Sequence, residues 1–379
     1  MAKIIKCGLC ENTLSGKNRS KEHIIPNAIG GRKKAIDFIC KACNSAFGEN
    51  WDAELARQMN WFSLAVGISR DRGDPPKQIV QTVEGDKYWL LSDGSLTPEK
   101  SAYSELDHGD SVTISMTSKT IEEAKHRLEG VARKYPKFDV EKAVNELEVR
   151  TNYLDSPLNV KLSFGGANAG RSLVKTAFAF ASYSGVAHDE CEKALEYLLD
   201  ETIQTNPFGF AYLSDLVENR PKDKIFHCVS LHGDPTTKRL WSYIEYFGLF
   251  RVVVLLGENY SGSFKNELYA IDPIDGSNVV LGISCKISNE EFATIMRGEG
   301  FDQENHKAAA DYAFPIIHAR GRSRTIERAV REGFNYAAQK LGIKEGEIVP
   351  KEKAEEFTAY MMEKFSPLIE HLVRSSRRG

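Results

Sequence analysis

Four of the chain's seven cysteines fall in two CxxC pairs, Cys7/Cys10 in CGLC and Cys40/Cys43 in CKAC. A CxxC turn presents two thiolates to one cation, and two such turns complete a tetrahedral set around Zn2+ at about 2.3 Å per bond. Four thiolates leave the metal no open position, so the expected ion is structural. The 29 residues between the pairs exceed the roughly 15–20 of a simple zinc ribbon, so something is inserted between the knuckles. In that insert Glu22 and His23 stand side by side. One is an oxygen ligand for a hard cation, the other an imidazole able to accept a proton near neutral pH. Arg32, Lys33 and Lys34 follow in a loop, where they could steer a phosphate or keep a turn solvated. Cys191, Cys228 and Cys285 are isolated and read as core thiols.

The insert reads SKEHIIPNAIGGRKKAIDFI and runs into CKACNSAFG. With EHIIP on a first strand, GG in a hairpin loop and CKACN opening a helix, residues 5–55 resemble the HNH family of ββα-metal endonucleases. The likeness is to the variant in which paired CxxC knuckles pin the hairpin. That resemblance implies a phosphodiester hydrolase with His23 as general base, Glu22 as a ligand of a catalytic metal, and Asn44 as the second protein ligand. Such oxygen ligands favour Mg2+ or Mn2+. The sequence departs from the family where a middle Asn is expected: Ala35, Ile36 and Asp37 stand there, and Asp37 is the residue that could accept from the imidazole instead. Asn44 could also serve as a helix cap. Asp52 lies about 12 Å further along a helix, too far to share a metal with Asn44, and reads as structural.

The elements that must position these residues show in the texture of the chain. Residues 1–60 hold ten Lys/Arg against six Asp/Glu, a charge of +4; with −3 overall, the remainder carries −7. A basic module on an acidic body suits a polyanion, since Lys and Arg displace counterions from phosphates. From about Lys77 the pattern alternates as strands (KQIVQTVEG, KYWLLSDG, SVTISM). A helix then opens on a capping box, Thr120 with Glu123. LNVKLSF reads as a strand, and GGANAG as a tight turn into an apolar buried helix. DECEKALEYLLDETI follows as an amphipathic helix. KIFHCVSLHG, RLWSYIEYFG, FRVVVLLG, NELYAID and NVVLGIS form a β-rich run in which FRVVVLLG reads as the central strand. His227 and His232 lie in this run without a carboxylate at metal-ligand spacing and read as structural. From about Asn289 the chain turns helical.

The fold class expected is α+β: a zinc-stapled ββα-metal module over 1–60, a mixed domain over 61–300 and a helical region over 301–379. No apolar run reaches the roughly 18 residues of a membrane helix, and no signal-peptide core opens the chain. The reading is a cytoplasmic protein with no membrane partner. Its partner is DNA, most simply double-stranded. A homodimer would supply two modules facing opposite ways, and the larger domain would choose the target or sense a small-molecule activator. Restriction or phage defence is the setting that the family resemblance suggests. A competing reading is a zinc-dependent nucleic-acid-binding protein without catalysis. A third makes the large domain a separate enzyme, but no nucleophile–base constellation is legible in residues 60–379.

Overall fold

The computed structural model describes residues 5–147, 151–203 and 205–377. It is mixed helix and sheet, with the cysteine module at one end of the chain and a helix at the other. The chain forms two interleaved compact units: the segment ending at Pro76 joins Leu162–Gly321, and Lys77–Lys161 joins the segment that begins at Arg322. These units cut across the boundaries expected at residues 60 and 300. The reason is that the N-terminal segment completes its core with later parts of the chain. Phe38 is fully buried with its ring edge-on to Phe178, centroids 5.0 Å apart. Phe62 stacks on Phe247 at 5.0 Å. Each such ring is worth roughly 1.5–3 kcal/mol when removed from water.

In the first unit, β1 (Glu22–His23) pairs antiparallel with β2 (Lys34–Ala35), setting Glu22 opposite Ala35 and His23 opposite Lys34. α1 (Lys41–Phe47) begins on Cys40, whose sulfur accepts the Cys43 N–H. A π-helical turn, Gly48–Asp52, joins it to α2 (Ala53–Val66). α3 (Ala167–Tyr183) is entered through Gly165 and Gly166 at φ +114° and +84°, the left-handed backbone that glycine adopts without penalty. GGANAG is therefore turn chemistry, as its composition implies. α3 is buried from Ala169 to Ala181, Arg171 and Lys175 included.

The five-stranded antiparallel sheet comprises β3 (Phe208–Phe210), β4 (His227–Asp234), β5 (Arg239–Tyr246), β6 (Phe250–Gly257) and β7 (Lys265–Ile271). Their order is β7-β4-β5-β6-β3. β6 is buried along its length, but it is next to the edge and β5 is central. Burial does not report position here because both faces of the sheet are covered. Trp241, Tyr243, Val253 and Leu255 pack in one cluster with Phe292 and Ile295. On the other face Tyr246 meets Thr176 of α3, hydroxyl to hydroxyl at 3.2 Å. NVVLGIS contributes only Gly282–Ile283, paired with Val217–Glu218.

The second unit holds a four-stranded antiparallel sheet of Leu96–Pro98, Lys87–Leu90, Gln78–Thr82 and Leu158–Asn159, in that order, and a hairpin of Ala102–Asp107 with Val112–Thr117. Of LNVKLSF only its first residues are strand. Helix Ile121–Lys134 is capped as its sequence predicts, Thr120 accepting the Glu123 N–H. Helix Gln303–Leu341 contributes residues to both units, and Ala354–Ser376 belongs to the second.

Candidate functional site

The turn over Cys7–Cys10, ahead of β1, and the start of α1 bring the four cysteines together: their sulfurs all lie within 4.8 Å of one another. Cys7 Sγ to Cys43 Sγ is 3.8 Å and Cys10 Sγ to Cys40 Sγ is 3.7 Å. The edge of a tetrahedron with bonds of about 2.3 Å is about 3.8 Å, so the set has the dimensions of a zinc site. Backbone N–H groups point at the sulfurs, Cys40 N to Cys7 Sγ at 3.3 Å and Cys43 N to Cys40 Sγ at 3.5 Å. These donors offset part of the thiolate charge that the metal leaves.

β1 carries His23 to the half-exposed side of the same hairpin. Its Nε2 lies 3.2 Å from Asp71 Oδ2, a charge contact that falls off the ideal hydrogen-bond line. Asp71 is fixed by four contacts from three residues. Lys34 Nζ donates to Oδ2 at 2.8 Å, Asn27 Nδ2 donates to Oδ1 at 3.3 Å, the Asp71 N–H donates to Asn27 Oδ1 at 2.8 Å, and Arg32 Nη1 stands 3.6 Å from Oδ1. The Lys34 hydrogen bond holds the Asp71 carboxyl below its ordinary range. Burial, with Lys34 close by, pushes His23 down against the pull of Asp71. The ring is therefore neutral near pH 7, and no described residue bonds its Nδ1. It can take a proton there. The expected orienting group, Asp37, is elsewhere engaged: Oδ1 pairs with Arg19 Nη1 at 2.9 Å. Asp37 lies beyond the two residues of β2, out of line with His23, so the carboxylate on the imidazole is Asp71. Of the basic loop, Arg32 and Lys34 hold Asp71, and Lys33 lies over the rings of Tyr183 and Tyr269 at 5.1 and 4.5 Å.

Glu22, on the opposite face of β1, points inward. Its Oε1 accepts from Lys175 Nζ at 2.6 Å, and the same ammonium binds Asp52 Oδ2. Ser172 Oγ donates to Asp52 Oδ1 at 2.6 Å. The π-helical turn, ending on Asp52, delivers that carboxylate to α3. Burial would lower Lys175, but Asp52 and Glu22 hold it up and charged; burial raises Glu22. Two carboxylates thus converge on one cation, and the cation is a lysine. Asn44 sits half-buried in α1. Among the described residues, the cysteines are the group of three or more His, Cys, Asp or Glu donors close enough to share an ion. The arrangement does not fit a divalent ion held by Glu22 while Lys175 occupies its carboxylate.

Asp71 and Lys175 are the site residues the sequence reading passes over. Asp71 gives no local signal, being one acid among the arginines of SRDRGD. Lys175 does give one: a single lysine inside SLVKTAFAF must find a buried anion. Lys175→Met is expected to cost about 3–5 kcal/mol, since it strands two carboxylates in the core. The triple change Lys175→Met, Glu22→Gln, Asp52→Asn should recover most of that. Denaturant midpoints check both, and a single variant within about 1 kcal/mol of wild type would remove the triad from the account.

Residues 7–60 match the family model described as HNH endonuclease. No curated protein and no solved structure matches the chain. The match covers both cysteine pairs, Glu22, His23, Asn44 and Asp52, and stops short of Asp71 and Lys175. An HNH module with a zinc-binding knuckle pair points to nuclease activity, with nucleic acid as substrate. Among the described residues no helix is long and apolar enough to cross a membrane.

Proposed function

We propose that the chain is a DNA endonuclease whose residues 7–60 hydrolyse phosphodiester bonds, with His23 as the general base. The observation that carries this is the His23 imidazole on the knuckle-pinned hairpin, with Asp71 3.2 Å from its Nε2 and Lys34 and Arg32 held on that carboxylate. In this reading Nδ1 takes the proton of the attacking water, Asp71 orients the ring and balances the charge it gains, and the basic loop attracts the phosphate. The family's Mg2+ or Mn2+, with Glu22 and Asn44 as its ligands, belongs to the same proposal. For Glu22 to bind it, Lys175 would have to release that carboxylate, so the proton transfer by His23 stands apart from the ion. One module meets one strand; a double-strand break needs two modules facing opposite ways, which a symmetric dimer supplies. The remaining residues would then dimerise the enzyme, select its target or respond to a small-molecule activator, in a setting such as restriction or phage defence.

The buried Glu22–Lys175–Asp52 triad favours one second reading, a zinc-dependent nucleic-acid-binding protein in which the Glu-His pair no longer cuts. Supercoiled plasmid separates the two. Zinc-loaded full-length protein freed of other divalent ions should nick it when Mg2+ or Mn2+ is added and leave it intact otherwise. Linear product from single encounters, with a dimer in sedimentation, goes with paired modules. Binding without nicking under any divalent ion would leave only the second reading.

A further inference from the structure

Outside the module the sheet assembles a second group of nucleophile and base. Antiparallel register sets His232 of β4 opposite Trp241 of β5 and Asn266 of β7, and residues paired this way share a face. The His232 ring stacks on Trp241, centroids 4.2 Å apart. Its Nε2 lies 2.9 Å from Ser230 Oγ, two residues away on the same strand face, and its Nδ1 lies 2.9 Å from Cys285 Sγ. Asn266 Oδ1 is 3.4 Å from the same sulfur. Ser230 Oγ accepts the Tyr243 N–H at 3.3 Å and has a lone pair left for Nε2–H, the tautomer that turns the Nδ1 lone pair toward the thiol. Cys285 is exposed, whereas Cys191 and Cys228 are buried and the other four cysteines form the knuckle.

We propose that Cys285 is a base-assisted nucleophilic thiol, with His232 as its base and Ser230 orienting the ring, and that it is oxidised by hydroperoxides to a sulfenic acid. In the step, sulfur attacks the outer peroxide oxygen while Nδ1 takes the thiol proton. The O–O bond breaks, and the imidazolium returns that proton to the leaving oxygen as water or an alcohol. Sulfur loses two electrons and the peroxide gains them. Burial holds His232 down at about 4. Partial desolvation of the sulfur against the sheet, with Glu218 nearby, pushes the Cys285 thiol up although the residue is exposed. The pair therefore rests uncharged, and the proton moves only as sulfur attacks. Ser230, Trp241 and Asn266 bring no net charge to the ring, and Glu218 is the charged group bearing on the thiol.

This predicts a rate that does not follow the thiolate population. Zinc-loaded full-length protein is exposed to hydrogen peroxide at pH 5.5 to 7.5, the peroxide is removed, and sulfenic acid is trapped at one fixed pH with a cyclic 1,3-diketone and located by peptide mass spectrometry. Cys285 should carry the adduct, with a rate changing less than about twofold from pH 5.5 to 7. His232→Gln should slow it at pH 6 by about tenfold or more, toward the low end of a positioned base's contribution, and should restore a climb of about tenfold per pH unit. Ser230→Ala should slow it less and keep the flat profile. A wild-type rate that itself climbs about tenfold per pH unit, or a Cys285 that stays unmodified, overturns the proposal. The wild-type profile decides the matter even if the His232 variant does not fold.

Discussion

Cys40→Ser is expected to empty the knuckle of zinc and to unfold more than the knuckle. Wild-type protein should carry one Zn2+ per chain. The binding energy of a four-thiolate site is folding energy, with an apparent value of about 10–16 kcal/mol near pH 7, as large as the whole stability of an ordinary domain. Cys40 is central to it, because its sulfur caps α1 and its N–H reaches Cys7 Sγ. The sequence alone suggests that such damage stops near residue 55. The structure gives a different expectation, because the module has no private core. Gly8 N–H is bonded to Phe38 O at 2.8 Å, Phe38 packs on Phe178 of α3, and the loop after β1 is tied to β4. There the buried His227 donates from Nε2 to Ile29 O at 2.8 Å and accepts the Phe247 N–H on Nδ1 at 2.9 Å. Amide exchange should therefore lose protection across residues 5–47 and into α3, while β5 keeps its own. Metal analysis establishes the zinc content. A zinc-free variant with wild-type protection over residues 5–47 would show that the metal does not hold the module.

The contrast between those two expectations shows what the sequence can carry. Cys7, Cys10, Cys40 and Cys43 are legible because metal geometry imposes local spacing, and the ββα order of the hairpin is what the family resemblance implies. Thr120 with Glu123, and the glycines before α3, are legible for the same reason: caps and turns are decided within a few residues. Asp71 and Lys175 are not, because each meets its partners across 37 or more positions of chain, and only the packing of α2 and α3 decides which acid faces which base. Asp37 shows how far local spacing reaches. It is the nearest acid to the missing Asn, but nearness in sequence gives way to Arg19, which takes it. Cys285 fails differently. Nothing in IDGSNVVLGISCK marks it, and its partner His232 reads as structural until the fold brings the Cys285 sulfur to its Nδ1.

The same geometry ranks the carboxylates by function. His23→Ala is expected to reduce cleavage about 10²–10⁴-fold, the range a positioned general base contributes, with zinc content and DNA binding near wild type. The side chain lies on the outward face of β1, so its loss should cost little stability. Asp71→Asn should keep the shape beside Nε2 and lose the charge, slowing cleavage by about 10–100-fold, as for groups that orient a functional histidine. Asp37→Asn should lose only its ion pair with Arg19, worth about 0–1 kcal/mol at a half-exposed position, and should cut at nearly the wild-type rate. Single-turnover cleavage of a nicking substrate, measured with zinc content and DNA affinity for each variant, gives the order His23, then Asp71, then Asp37. If Asp37→Asn slows cleavage more than Asp71→Asn does, the imidazole is oriented from the other side during catalysis. If His23→Ala cuts as fast as wild type, the base lies elsewhere, and the hairpin serves to bind nucleic acid.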